Sequence, residues 1–163
     1  MDDHQAASDT RTDSKIASVT PKSDSAIEIE RLCQIAVTCF NIRDFAHKTD
    51  AGEELLSHVS PRFEANHGYW APKGLTYVEL LQAWKQETVD YPNCHFEVLN
   101  IFHDIDEDRG IATLHIESEV SGRDETTVMA LSQLHWRRRS AEAPWIWMRF
   151  TGFRSGFDTA GFV

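Results

Sequence analysis

The chain has 163 residues, 41% of them apolar, with nine Phe, five Trp and three Tyr to build a core. That is enough for one domain that buries about 70% of the surface its unfolded chain exposes. A formal net charge of −10 argues against phosphate backbones and anionic bilayers as partners. The only basic cluster, Arg137-Arg138-Arg139, sits beside a strand end and reads as a solvated turn. Cys33, Cys39 and Cys94 are odd in number and have no zinc-type or CxxC spacing, so free thiols in a reducing, cytoplasmic setting are expected. The sequence shows neither a secretory leader nor a run long enough to span a membrane.

Residues 1–25 are rich in Asp, Ser and Thr and hold few sizeable apolar groups, so they read as a disordered tail. Order should begin near Asp24 or Ser25. Apolar residues from Ala26 to His47 recur with helical spacing on more than one side, which predicts a long, broadly buried helix. A short second helix runs from Asp50 through Leu55 and Leu56 until Ser60-Pro61 breaks it. Arg62–His67 is a short extended piece, followed by an aromatic loop between Gly68 and Gly74. Thr76 and Glu79 form a capping-box pair for a third helix that ends at Tyr91-Pro92.

The remainder reads as strands. His95–His103 and Ile111–Ser121 flank the turn DIDEDRG, and the runs on either side of Ser140–Pro144 form a second long hairpin. A hairpin alone is marginal in water, so the helices must cover one face of the sheet. The expected fold class is α+β over 26–163, with three N-terminal helices on a strongly curved antiparallel sheet that forms a cone-shaped pocket.

The order of elements, together with LLSHVSPRFEANHG, the hairpin beginning PNCHFEVLN and the closing LHWRRRSAEAPWIWMRFTGFRSG, resembles the SnoaL-like family of the nuclear transport factor 2-like superfamily. The resemblance spans roughly residues 27–157. It implies a cofactor-free isomerase, cyclase or dehydratase for a hydrophobic polyketide- or terpenoid-type molecule, and a homodimer packed through the outer sheet face. Relatives resembling ketosteroid isomerase carry a carboxylate base on the short strand after the second helix. Here that position falls at Asn66-His67, and Glu64 is two to three residues earlier.

His67 can serve as the base instead, since an imidazole titrates near working pH; a plain surface histidine is the other reading. Tyr69 and Trp70 either lid a ligand or anchor their loop. Strict alternation puts Arg149 on the face of Trp147 and Thr151, either an oxyanion partner in the cavity or an exposed charge on the outer face, and the inward placement is chosen because it meets the cavity mouth. The same rule puts Asn100 beside Phe96, Val98 and Phe102, as a second donor or as a polar group satisfied by a backbone bond. Ser132 shares a face with Ala130, Leu134 and Trp136. A loop longer than two residues before that strand is needed to turn this set inward, and burial of Trp136 and Leu134 favours it. His115, Glu117 and Glu119 oppose the apolar positions of their strand and belong outside, so no metal set is expected. The alternative to an enzyme is a non-catalytic module of the same fold that binds a small molecule or dimerises.

Overall fold

The computed structural model describes residues 21–67 and 74–155. Three helices, α1 (Asp24–Asn41), α2 (Asp50–Ser57) and α3 (Tyr77–Asp90), accompany five strands. These are β1 (Val59–His67), β2 (His95–Asp106), β3 (Ile111–Ser121), β4 (Val128–Arg137) and β5 (Ile146–Ser155). The tail expected over residues 1–25 falls outside the described residues as far as residue 20, and Ser23 caps α1 by accepting from the Ala26 N–H.

α1 stops at Asn41, six residues short of the expected end. Arg43 takes a left-handed conformation (φ 65°), and its guanidinium donates to the Phe40, Pro92 and Cys94 carbonyls. The Asp44 carboxylate accepts from the Lys48 and Thr49 N–H groups and from the Thr49 hydroxyl, which turns the chain into α2. A side chain that bonds backbone this way competes with continued helix. α3 has the expected capping box, with Thr76 and Glu79 exchanging both bonds.

The sheet runs β1-β5-β4-β3-β2. It is mixed rather than wholly antiparallel, because the piece after the second helix is a full strand paired parallel to β5. The other pairs are antiparallel. The β3–β4 connection is long, and Ala112, Leu114, Ile116 and Val120 face Trp136, Leu134, Ser132 and Val128. One buried cluster joins Ile29, Leu32 and Cys33 of α1 and Leu80 of α3 to Leu114, Leu134 and Trp147 of the sheet. Within it Trp136 and Trp147 stack at 5.7 Å, and Phe63 and Tyr77 meet Trp147 edge to face.

Two β-bulges set which side chains reach this core. In β2, Val98 pairs with Ser118 and Asn100 with Glu117, so Leu99 is an extra residue. In β5, Trp147 pairs with Trp136 and Arg149 with His135, so Met148 is extra. Each bulge exchanges the faces of everything beyond it.

The β3–β4 turn depends on Gly122, which sits at φ 76° with the Asn93 carbonyl oxygen only 1.9 Å from where a Cβ would stand. A side chain there meets both left-handed strain and a backbone clash. Gly122→Ala should cost more than about 2 kcal/mol and lower the melting temperature by roughly 5–10 °C. Thermal unfolding followed by circular dichroism checks this, and an unchanged midpoint would contradict it.

Candidate functional site

A cavity of about 80 Å³ lies between α1, α3 and the inner face of the sheet. Cys33, Ala36 and Phe40 of α1, Trp84 of α3 and Ile116, Leu134, Trp147 and Phe150 of the sheet supply its apolar walls. Its polar members are Ser118, Ser132 and Glu87. Glu87 pairs with Arg123 at 2.5 Å, and both side chains are largely buried. The Cys33 thiol is pushed far up by burial, so it lines the cavity as a neutral group.

Ser132 and Trp147, both expected at the pocket, are on its wall. The register sets Ser132 between Ile116 and Gly152, and Gly152 in turn lies opposite His67. Ile116, Ser132, Gly152 and His67 therefore form one row across four strands, with a gap at the glycine. Tyr69 and Trp70 lie outside the described residues.

The inward placement of Arg149 and Asn100 is corrected. The Met148 bulge turns Arg149 to the outer face, where it is exposed and lies 3.7 Å from Glu64. The Leu99 bulge does the same to Asn100, whose amide donates to Glu117 at 2.9 Å. Phe102 follows it outward and is exposed, while Ile101 and Ile105 take the inner positions. His135 is also outside, bonded to the Thr113 hydroxyl. Burial, with Arg149 and His115 adding to it, pulls its pKa down. His115, Glu117 and Glu119 pair with Gln133, Leu131 and Met129 on that outer face.

Sequence reasoning missed a buried polar cluster beside the core. His47 is buried at φ 49°, and its Nε2 lies 2.7 Å from the Tyr77 hydroxyl. Burial pushes the Tyr77 pKa up and holds that of His47 down, with Asp44 opposing the latter weakly. Cys39, Asp44 and His47 each bring one potential ligand atom within 4.8 Å of the others. Both Asp44 oxygens are already engaged by Lys48 and Thr49, so a cation there would compete with the turn that opens α2. The warning sign in the sequence was Asp44-x-x-His47 placed just where the apolar stripe weakens.

No family model and no curated protein matches the sequence. Solved structures do. A nuclear transport factor 2-like protein of unknown function from Pseudomonas putida superposes with a TM-score of 0.62 at 15% identity, over 87% of this chain and 96% of that one. Hexachlorocyclohexane dehydrochlorinase LinA-type3 from Novosphingobium barchaimii gives 0.64 at 11% identity, over 85% and 94%. A candidate scytalone dehydratase from Novosphingobium aromaticivorans gives 0.58 at 12% identity, over 81% and 85%. The chain has the nuclear transport factor 2-like, cystatin-like fold. Solved proteins of that fold include this dehydrochlorinase and this candidate dehydratase as well as proteins of unknown function.

The buried histidine makes stability depend on pH. In the unfolded chain His47 takes up a proton near its ordinary pKa of about 6.5, whereas the folded chain resists it. The unfolded state therefore binds more protons just below that value, and stability falls as the pH drops from 7 towards 5. His47→Asn keeps a residue that tolerates the left-handed backbone and should flatten this part of the dependence. Denaturant melts of both proteins at pH 7 and pH 5 test it; equal slopes would remove His47 as the cause.

Proposed function

We propose that this protein is a cofactor-free enzyme that moves a proton within a hydrophobic small molecule, as an isomerase, cyclase or dehydratase does. The observation that carries the reading is an apolar cavity with Ile116, Ser132 and Gly152 on its wall, Gly152 being the residue that the β1–β5 register pairs with His67. Strands lie about 4.8 Å apart, so Ser132 and His67 stand on the order of 10 Å apart across the glycine. A flat substrate laid over Gly152 would have a hydroxyl donor on one side and an imidazole base on the other. Apolar walls exclude water and strengthen both interactions.

With Arg149 and Asn100 outside, Ser132 takes the donor role they were expected to share, and Tyr69 and Trp70 stay proposed as further walls. The walls would narrow as a cone. A polyketide- or terpenoid-type substrate suits their chemistry, and anything beyond a few heavy atoms must extend past the roughly 80 Å³ enclosed by the described walls. We place the chain in the cytoplasm, where its three free cysteines stay reduced. No helix among the described residues is long and apolar enough to cross a membrane.

A second reading, a binding module without chemistry, is favoured by Glu87, the one carboxylate on the described cavity wall, being tied to Arg123. The probe 2-tetralone separates the two, being apolar and flat with acidic α-hydrogens. In D₂O the enzyme should accelerate deuterium uptake at those carbons by at least a hundredfold over buffer, and His67→Ala should lose most of that gain. Ser132→Leu should abolish binding by filling the row. Saturable binding with no faster exchange would establish the module instead.

We also propose a homodimer through the outer sheet face, which leaves Leu99, Phe102, Met129 and Leu131 between about two-fifths and just over half exposed. Sedimentation at micromolar concentration should give twice the 18.6 kDa chain mass, and Leu131→Lys should shift it to the monomer. A wild-type protein that sediments only as a monomer would refute the interface.

A further inference from the structure

A second concavity, of about 1010 Å³, opens at the other ends of β1 and β5. Five arginines line it: Arg62, Arg109, Arg137, Arg138 and Arg139. The chain has only eleven arginines and a net charge of −10, so nearly half of them converge on one groove of an acidic protein. Among the described residues no Asp or Glu lines it. Arg138 is held by Glu107 and stacks 4.7 Å from Trp145, and Arg109 lies 4.0 Å from Asp106. Arg62, Arg137 and Arg139 have exposed side chains with no acidic partner among the described residues.

Like charges gathered this way repel, and Arg62, Arg137 and Arg139 have no counter-charge among the described residues. Guanidinium forks match phosphate oxygens in pairs and are less heavily hydrated than ammonium groups. Apart from Ser57 and Ser60 the remaining wall is apolar, chiefly Pro61, Pro144, Ile146 and Met148. Met148 shares the groove's face with Ile146 by strand alternation, opposite the buried Trp145 and Trp147. The volume suits a drug-sized molecule rather than a lone ion. A long polyanion would meet the repulsion of a chain whose net charge is −10.

We propose that this groove binds an organic diphosphate, the diphosphate lying among Arg62, Arg137 and Arg139 and the apolar group on Pro61, Pro144, Ile146 and Met148. The site is separate from the proton-transfer cavity and stands or falls without it.

Calorimetric titration of the full chain at 50 mM salt tests this with geranyl diphosphate, inorganic pyrophosphate and geraniol. Geranyl diphosphate should bind in the micromolar range, pyrophosphate at least tenfold more weakly, and geraniol without measurable heat. Raising the salt to 300 mM should weaken both diphosphates. The double variant Arg137→Ala/Arg139→Ala removes exposed side chains, so its melting temperature should match wild type while both diphosphates lose at least tenfold in affinity. Lys85→Ala, an exposed cation far along α3, should change nothing. The proposal is overturned if geranyl diphosphate fails to bind, if it binds the double variant as well as wild type, if pyrophosphate binds as tightly as geranyl diphosphate, or if geraniol binds equally well.

Discussion

The extra residue Met148 in β5 is the constraint on which both faces of the sheet depend. Without it, strict alternation after Trp147 would bury Arg149 and expose Phe150. With it, Trp147 and Phe150 both reach the core, and Gly152 follows on the cavity side. The magnitudes decide in favour of the bulge. A lost ladder hydrogen bond costs about 1 kcal/mol. Burying a Phe contributes roughly 1.5–3 kcal/mol, and an unpaired buried guanidinium would cost several more.

Helix existence, helix type and most strand positions were legible because they rest on local signals. The capping box at Thr76 and Glu79, the break at Ser60-Pro61 and the alternating run Ile111–Ser121 each need only neighbouring residues. The inward set of β4 was legible too, since only one register buries both Leu134 and Trp136. The parallel pairing of β1 with β5 was not, because it joins segments nearly ninety residues apart. Nor was the end of α1, where Asp44 bonds backbone that a helix would have used.

The candidate site was less legible than the fold, and for one reason. Parity arguments fail by a whole face when a strand carries one extra residue, and both misplaced donors lie just beyond a bulge. A trace of each bulge was present. In β5 the large buried residues switch parity between Trp147 and Phe150, and in β2 they switch between Val98 and Ile101. Reading the polar residues first hid this. Arg149 and Asn100 looked like intruders on an apolar face, when the apolar residues themselves marked where the face changed.

The parallel alignment of β1 and β5 has a further consequence. Both strands begin at the arginine-lined groove, and their register brings Gly152 and His67 together towards their far ends. Ile146 and Met148 give the groove an apolar wall, and the bulge at Met148 sets Gly152 on the cavity side. The two regions differ in what they can hold. The cavity is lined mainly by apolar side chains of α1, α3 and the sheet, so shape and apolar area are what it offers a ligand. The groove is open and cationic, so it selects by charge. The fold can carry both because they share no lining residue, and the stacked Trp136 and Trp147 stay fully buried in the core.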